Sequence, residues 1–183
     1  MSLLVVSEPD AAIYAMDEAG IKREASITSG WFPKGKKAIV LSPSTHEKVN
    51  LAGAVKLSTG QIILNKVERF NKDVCIEFLG KIDRNEPKEC KKIYVLLDNA
   101  RPHRAKAVYK YLCSNPQNRI NLLFLPPYSP ELNPSENIWL QLRREKTHNT
   151  FFPTLSALID SIDSFEKTYS VPNTIMKSLC AFY

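Results

Sequence analysis

Ile93-Tyr94-Val95-Leu96-Leu97-Asp98 is an unbroken aliphatic run of strand length that ends in an acid. A run without polar alternation predicts a strand buried on both faces, as in the middle of an α/β sheet. Residues 11–16 have the same form, bounded by charge and by Gly20, and Asp17 terminates them. A carboxylate at the C-terminal end of such a strand stands where open α/β sheets bind their ligands. If the two strands are neighbours, Asp17 and Asp98 lie side by side. Two buried carboxylates repel unless a cation separates them, so the pair predicts a hard, oxygen-seeking metal, with magnesium the best candidate.

Around these strands the chain alternates in a definite order. Residues 21–37 hold Gly30, Pro33 and Gly35 among aromatics and lysines and read as a loop or irregular hairpin. Residues 49–57 and 61–67, separated by Ser58-Thr59-Gly60, read as an antiparallel pair with a tight turn. Residues 71–82 place Val74, Cys75, Phe78 and Ile82 at helical spacing, with a polar linker to residue 92. Pro102 predicts the opening of a helix with Ala105, Val108, Leu112 and Cys113 on one face. Residues 120–125 form a further apolar strand, stopped by Pro126, Pro127 and Pro130. Asn133-Pro134-Ser135-Glu136 reads as a helix start, and residues 155–169 as a last helix with Leu155, Leu158, Ile159, Ile162 and Phe165 in one stripe. Beyond Pro172 no element is predicted. Hairpins first and right-handed parallel crossovers afterwards give an α/β fold on the ribonuclease-H-like plan. Its mixed five-stranded sheet has three antiparallel strands, then parallel crossovers, with helices on both faces.

The 183 residues, 44% hydrophobic and 24% charged, fit one globular domain spanning 1–183. The longest apolar runs fall far below the roughly 20 residues of a membrane span, and no signal segment opens the chain, so a cytoplasmic protein without membrane partners is expected. Cys75, Cys90, Cys113 and Cys180 are far apart and read as reduced fillers. The net charge of +6 comes with clusters at Lys34, Lys36 and Lys37, at Arg101, Arg104, Lys106 and Lys110, and at Arg143, Arg144 and Lys146. Clustered cations suit a polyanion, although they also decorate ordinary solvated faces.

Glu136 has a competing structural explanation, because Asn133, Pro134 and Glu136 fit the N-cap, N1 and N3 positions of a capping box. Context favours a catalytic role. The segments 96–103, Leu-Leu-Asp-Asn-Ala-Arg-Pro-His, and 125–139, Leu-Pro-Pro-Tyr-Ser-Pro-Glu-Leu-Asn-Pro-Ser-Glu-Asn-Ile-Trp, closely resemble DDE transposases of the mariner superfamily, particularly the bacterial insertion-sequence branch. The resemblance runs from about Tyr14 to about Leu158. It implies a metal-dependent enzyme that cuts phosphodiester bonds at transposon ends and joins the 3′-OH to target DNA. It maps the catalytic and metal-binding acids to Asp17, Asp98 and Glu136, with two Mg²⁺ or Mn²⁺ ions, and implies no small-molecule cofactor. A homodimer and association with the bacterial nucleoid are compatible with it.

Strand alternation lets only one of Asp17 and Glu18 enter the site, and Asp17 is preferred because it ends the apolar run. Glu131 is a weaker rival to Glu136. His103 reads either as a group near the scissile phosphate or as a helix cap. Asn99 is expected to shape the turn after Asp98, and Ile138 and Trp139 to pack their helix on the sheet. Candidate DNA contacts are Trp31, Lys34, Lys36, Lys37, Arg101, His103, Arg104, Arg143 and Arg144. For Arg143 a surface ion pair is the alternative, and for residues 30–37 a hairpin with its aromatics in the core. No helix-turn-helix module that would read element ends fits before Asp17, so specific end recognition is expected to be weak. A repair or resolving nuclease of the same fold and a non-catalytic domesticated DNA-binding module are the rival functions.

Overall fold

In the computed structural model, which describes residues 8, 10–29, 31, 33–35 and 39–181, the middle of the sheet is β1 (Ala11–Lys22). It pairs antiparallel with β2 (Lys48–Lys56), which pairs antiparallel with β3 (Ile62–Val67). On its other side β1 pairs parallel with β4 (Lys92–Leu97), and β4 pairs parallel with β5 (Ile120–Phe124). The order is therefore β3-β2-β1-β4-β5, the mixed sheet expected from the sequence. Helix α1 (Lys72–Asn85) connects β3 to β4, and α2 (Lys106–Ser114) connects β4 to β5. Helices α3 (Glu136–Leu142), α4 (Leu155–Tyr169) and α5 (Thr174–Leu179) follow.

Period-two alternation splits the core into two layers. Ile13 and Ala15 of β1 face Trp139, Leu142, Leu158, Ile162 and Phe165 of α3 and α4. Ala12, Tyr14 and Met16 face Cys75, Phe78, Leu79 and Val108 of α1 and α2. This parity decides what the next two residues can do. Asp17 belongs to the α3 layer and Glu18 to the α1–α2 layer.

Three local expectations differ from the structure. Asp17 ends the apolar run but not the strand, because β1 continues to Lys22 on its pairing with β2 after its register with β4 has stopped at Ala15. The residues after Pro102 form a turn at 101–104, and α2 begins only at Lys106. Cys113 is exposed on α2, whereas Cys75, Cys90 and Cys180 are buried as filler.

The six-residue α5 carries too little periodicity to be predicted, and it is held by tertiary contacts. Its N-cap Asn173 donates its backbone N–H to the Thr59 carbonyl at 2.8 Å, which docks it on the β2–β3 turn. Gly60, at φ 72°, lies so close that an added Cβ would overlap the backbone of Asn173 and Lys177. Gly60→Ala therefore combines left-handed strain with a backbone clash. It should lower unfolding free energy by about 1–3 kcal/mol or more in a urea titration, with an unchanged denaturant slope.

Candidate active site

The offset between β1 and β4 opens the site. Beyond Ala15 the β4 side of β1 has no strand partner, and the chain leaving β5 crosses there on its way to α3. Asn133, itself buried, ties that crossing to β1 by donating from Nδ2 to the Met16 carbonyl at 3.3 Å. Its Oδ1 accepts from the Ser135 hydroxyl at 2.6 Å and from the Ser135 backbone N–H at 3.2 Å. A cleft of about 430 Å³ results, lined by Asp17, Asp98, Asn99, the 125–130 loop, Asn133 and Glu136. All three acids expected to be catalytic line it, and the rival Glu131 does not.

Glu136 does not act as a cap. It is the first residue of α3, no side chain caps that helix, and the Asn133 N–H goes to the Pro130 carbonyl at 2.8 Å. The capping-box explanation therefore fails, and an exposed carboxylate remains at the helix start, beside the cleft. Its charge there is also favoured by the helix dipole.

Each aspartate is held by one ring donor. Trp139, almost wholly buried, donates its indole N–H to Asp17 Oδ2 at 2.9 Å. Gly53 makes this possible: it is the register partner of Asp17 on β2, and a Cβ there would fall 2.5 Å from Trp139 Cη2 and 2.9 Å from Cζ2. Asp98 Oδ1 accepts from the Ala100 backbone N–H at 2.9 Å and contacts His103 Nδ1 at 2.8 Å. Among the described residues, one oxygen of each aspartate has no side-chain hydrogen bond.

His103 is neither a surface DNA contact nor a helix cap. It is fully buried, stands edge-on to Phe70 with ring centroids 5.5 Å apart, and reaches Glu18 Oε1 from Nε2 at 2.7 Å. Two carboxylate acceptors require a hydrogen on each ring nitrogen. Burial opposes that charge, but the hydrogen bond and charge of Glu18, then those of Asp98, outweigh it and raise the pKa above the ordinary histidine value. Strand alternation correctly kept Glu18 out of the cleft, but its contact with His103 and the burial of His103 were not read from the sequence; the available signal was the i, i+5 spacing from Asp98 to His103.

Asn99 joins the ends of β4 and β5, donating to the Leu125 carbonyl at 2.6 Å and accepting from Arg104 Nε at 2.9 Å. Arg104 also stacks over Phe124. Trp31, Lys34, Arg101 and Arg144 are exposed. Arg143 lies past the end of α3, in a wide helical turn over Arg143–Thr147, and lines a separate cleft with Gly20 and Lys22. Lys36 and Lys37, like Gly30 and Phe32, fall outside the described residues.

Burial pushes Asp17 up to about 7; a hydrogen bond from the Glu18 backbone and then the Trp139 bond pull the other way, and the charges of Glu136 and Glu18 add to the rise. Among the described residues no three Asp, Glu, His or Cys groups are already gathered tightly enough to hold one ion, so the acids share a cleft without closing on a common point. Their chemistry nevertheless fits a hard divalent cation, because the ionisable groups lining the cleft are carboxylates and a Tyr128 hydroxyl, with no thiol or imidazole. In chelator, folded Asp17 keeps a proton that the unfolded chain releases near its ordinary 3.8. Stability should therefore fall as pH rises from about 4 to about 7, by on the order of 1–4 kcal/mol. Asp17→Asn should flatten that slope in urea titrations across the same range.

The pattern of the family described as DDE superfamily endonuclease matches residues 12–159. An insertion element IS630 uncharacterized 39 kDa protein of Shigella sonnei is 26% identical over 158 residues, covering 86% of this chain and 45% of that protein. The chain thus spans about half the length of this curated relative. Among solved structures, the Mos1 mariner paired end complex with Mn superposes with TM-score 0.69 at 19% identity, over 98% of this chain and 55% of that one. The catalytic domain of Mos1 mariner transposase superposes with TM-score 0.58 at 18% identity, over 98% and 85%. The ribonuclease-H-like sheet is thus shared with mariner transposases, and with the family pattern running from β1 through Glu136 into α4, the chain belongs to the DDE superfamily endonuclease family.

Proposed function

We propose that the chain is the catalytic part of an insertion-element transposase, which cuts phosphodiester bonds at element ends and joins the 3′-OH to target DNA with Mg²⁺ or Mn²⁺. The observation that carries this is the one cleft, beside β1 where its pairing with β4 has stopped, that Asp17, Asp98 and Glu136 all line. The IS630 relative and the Mos1 paired end complex with Mn support it.

Asp17, Asp98 and Glu136 would hold two ions. When bound, these would supply Lewis-acid charge that activates water or a 3′-hydroxyl as nucleophile and stabilises the leaving oxygen. The protein's own part is positional. Trp139 and His103 fix which oxygen each aspartate turns toward the cleft, so little reorganisation remains when substrate arrives. Glu136 is exposed and free of a capping bond, so it can swing toward the cleft centre as the scissile phosphate enters. Hydrolysis and strand transfer use the same carboxylates in turn.

The DNA would run over the exposed cations and Trp31. Lys34, Arg101 and Arg144 neutralise phosphates, Arg104 can do so from its stacked position, and Arg143 would add to them, while Lys36 and Lys37 are further candidates from the sequence alone. Such binding is sequence-independent. Fluorescence-anisotropy titrations at several salt concentrations should show affinity falling steeply with salt. Tight, salt-insensitive binding to one sequence would contradict this reading.

The test of chemistry is nicking of supercoiled plasmid. Parent protein should nick with Mg²⁺ or Mn²⁺ and not in chelator. Because Glu136 caps nothing, Glu136→Gln should leave unfolding free energy within about 0.5 kcal/mol, the usual range for a surface change. It should nevertheless lower nicking by orders of magnitude, since Gln brings no charge to a hard cation. A variant that melts and nicks like the parent would remove Glu136 from the site.

A further inference from the structure

We propose that Glu18 is a positioning residue for Asp98, acting through His103, and so sets how strongly the site binds its divalent cation; this rests on the metal-dependent reading above. Glu18 follows Asp17 in β1, so the pleat sends it to the opposite face of the sheet, away from the cleft. It does not line the cleft, and neither does His103. Its Oε1 lies 2.7 Å from His103 Nε2, and His103 Nδ1 lies 2.8 Å from Asp98 Oδ1. One imidazole therefore bridges the two faces of the sheet.

The bridge is buried at its centre and open to solvent at its ends. The His103 side chain is 0% exposed, Glu18 is 22% exposed and Asp98 is 53% exposed. Asp98 is the outermost member, and β4 ends one residue before it, so its backbone lies outside the strand ladder. Its orientation depends on the Ala100 N–H and on His103. His103 in turn sits in a turn rather than a helix, and what holds its ring at that angle is Phe70 on one side and the Glu18 acceptor on the far nitrogen. Removing the acceptor leaves Nε2 buried without its partner, so the ring loses one of the two contacts that fix its angle against Asp98. The carboxylate that would meet the cation then loses its fixed face. Partners one step behind a metal ligand usually carry a 10–100-fold share of affinity or activity.

Three substitutions separate contact from charge. Glu18→Gln keeps an acceptor oxygen at the same reach without the charge; Glu18→Asp keeps the charge but retracts it by one methylene; Glu18→Ala keeps neither. Mn²⁺ binding is measured by calorimetric titration of the DNA-free protein, beside half-saturating Mg²⁺ in plasmid nicking and the KM for DNA. The expected result is Mn²⁺ affinity weakened on the order of 10–100-fold in Glu18→Ala and Glu18→Asp, a much smaller change in Glu18→Gln, and an unchanged KM for DNA. Should Glu18→Ala not fold, the contrast between Glu18→Asp and Glu18→Gln carries the test. Parental Mn²⁺ affinity in Glu18→Asp with a loss in Glu18→Gln would overturn the proposal, since charge rather than contact would then matter. Parental affinity in all three would overturn it as well. A parent that binds Mn²⁺ and shows this ordering, yet nicks nothing, would support the positioning role and contradict the catalytic reading; a parent that binds no Mn²⁺ would overturn both.

Discussion

The site depends on keeping an anionic carboxylate inside a sheet, a placement that burial opposes. Burial raises Asp17 to about 7, and the rise is opposed first by a hydrogen bond from the Glu18 backbone and then by the indole N–H of Trp139. That donor reaches Asp17 only because Gly53 leaves the facing position on β2 bare. Glycine in a strand interior costs stability through lost packing and added chain entropy. Here the missing side chain is replaced by the Trp139 ring, so the α3 layer is filled by the residue that orients the acid. Packing and chemistry are one contact.

Alternation along β1 then assigns different work to neighbouring acids. Asp17 points into the cleft with Asp98 and Glu136, whereas Glu18 points into the layer of α1 and α2 and meets His103. The buried imidazole is flanked by two carboxylates and balances part of their charge, which would otherwise repel across the β1–β4 boundary. The cleft itself is lined by three carboxylates and no basic side chain. Basic residues lie elsewhere on the surface, within a chain of net charge +6. A carboxylate-lined cleft, with the exposed Lys34, Arg101, Arg104 and Arg144 outside its lining, suits the proposed cation and polyanionic substrate.

Strand order, the two crossovers and the position of Asp98 were legible because continuous aliphatic runs of this length have few other interpretations. The place of Asp17 in the cleft was also legible, although β1 runs on past it: loss of hydrophobicity marked the end of two-sided burial, not the end of hydrogen bonding. The start of α2 was misread because Pro102 suits the first turn of a helix as well as the turn that folds His103 under Asp98. Glu136 was ambiguous for a similar reason, since a capping box and a catalytic acid use the same letters. Its bare helix start removes the capping reading. His103 and Glu18 were illegible as a pair because they are 85 positions apart and meet only across the sheet. Gly53 gave no signal, for nothing local requires a glycine there.

The central claim, that two ring-oriented aspartates and Glu136 form one divalent-cation site, is tested most directly by anomalous diffraction from crystals grown with Mn²⁺. The account predicts anomalous density in the cleft against the oxygens of Asp17 and Asp98 that carry no side-chain hydrogen bond, with Trp139 Nε1 still on Asp17 Oδ2 and His103 Nδ1 still on Asp98 Oδ1. Manganese absent from that cleft under saturating conditions, or bound there with Trp139 and His103 turned away from the aspartates, would contradict it.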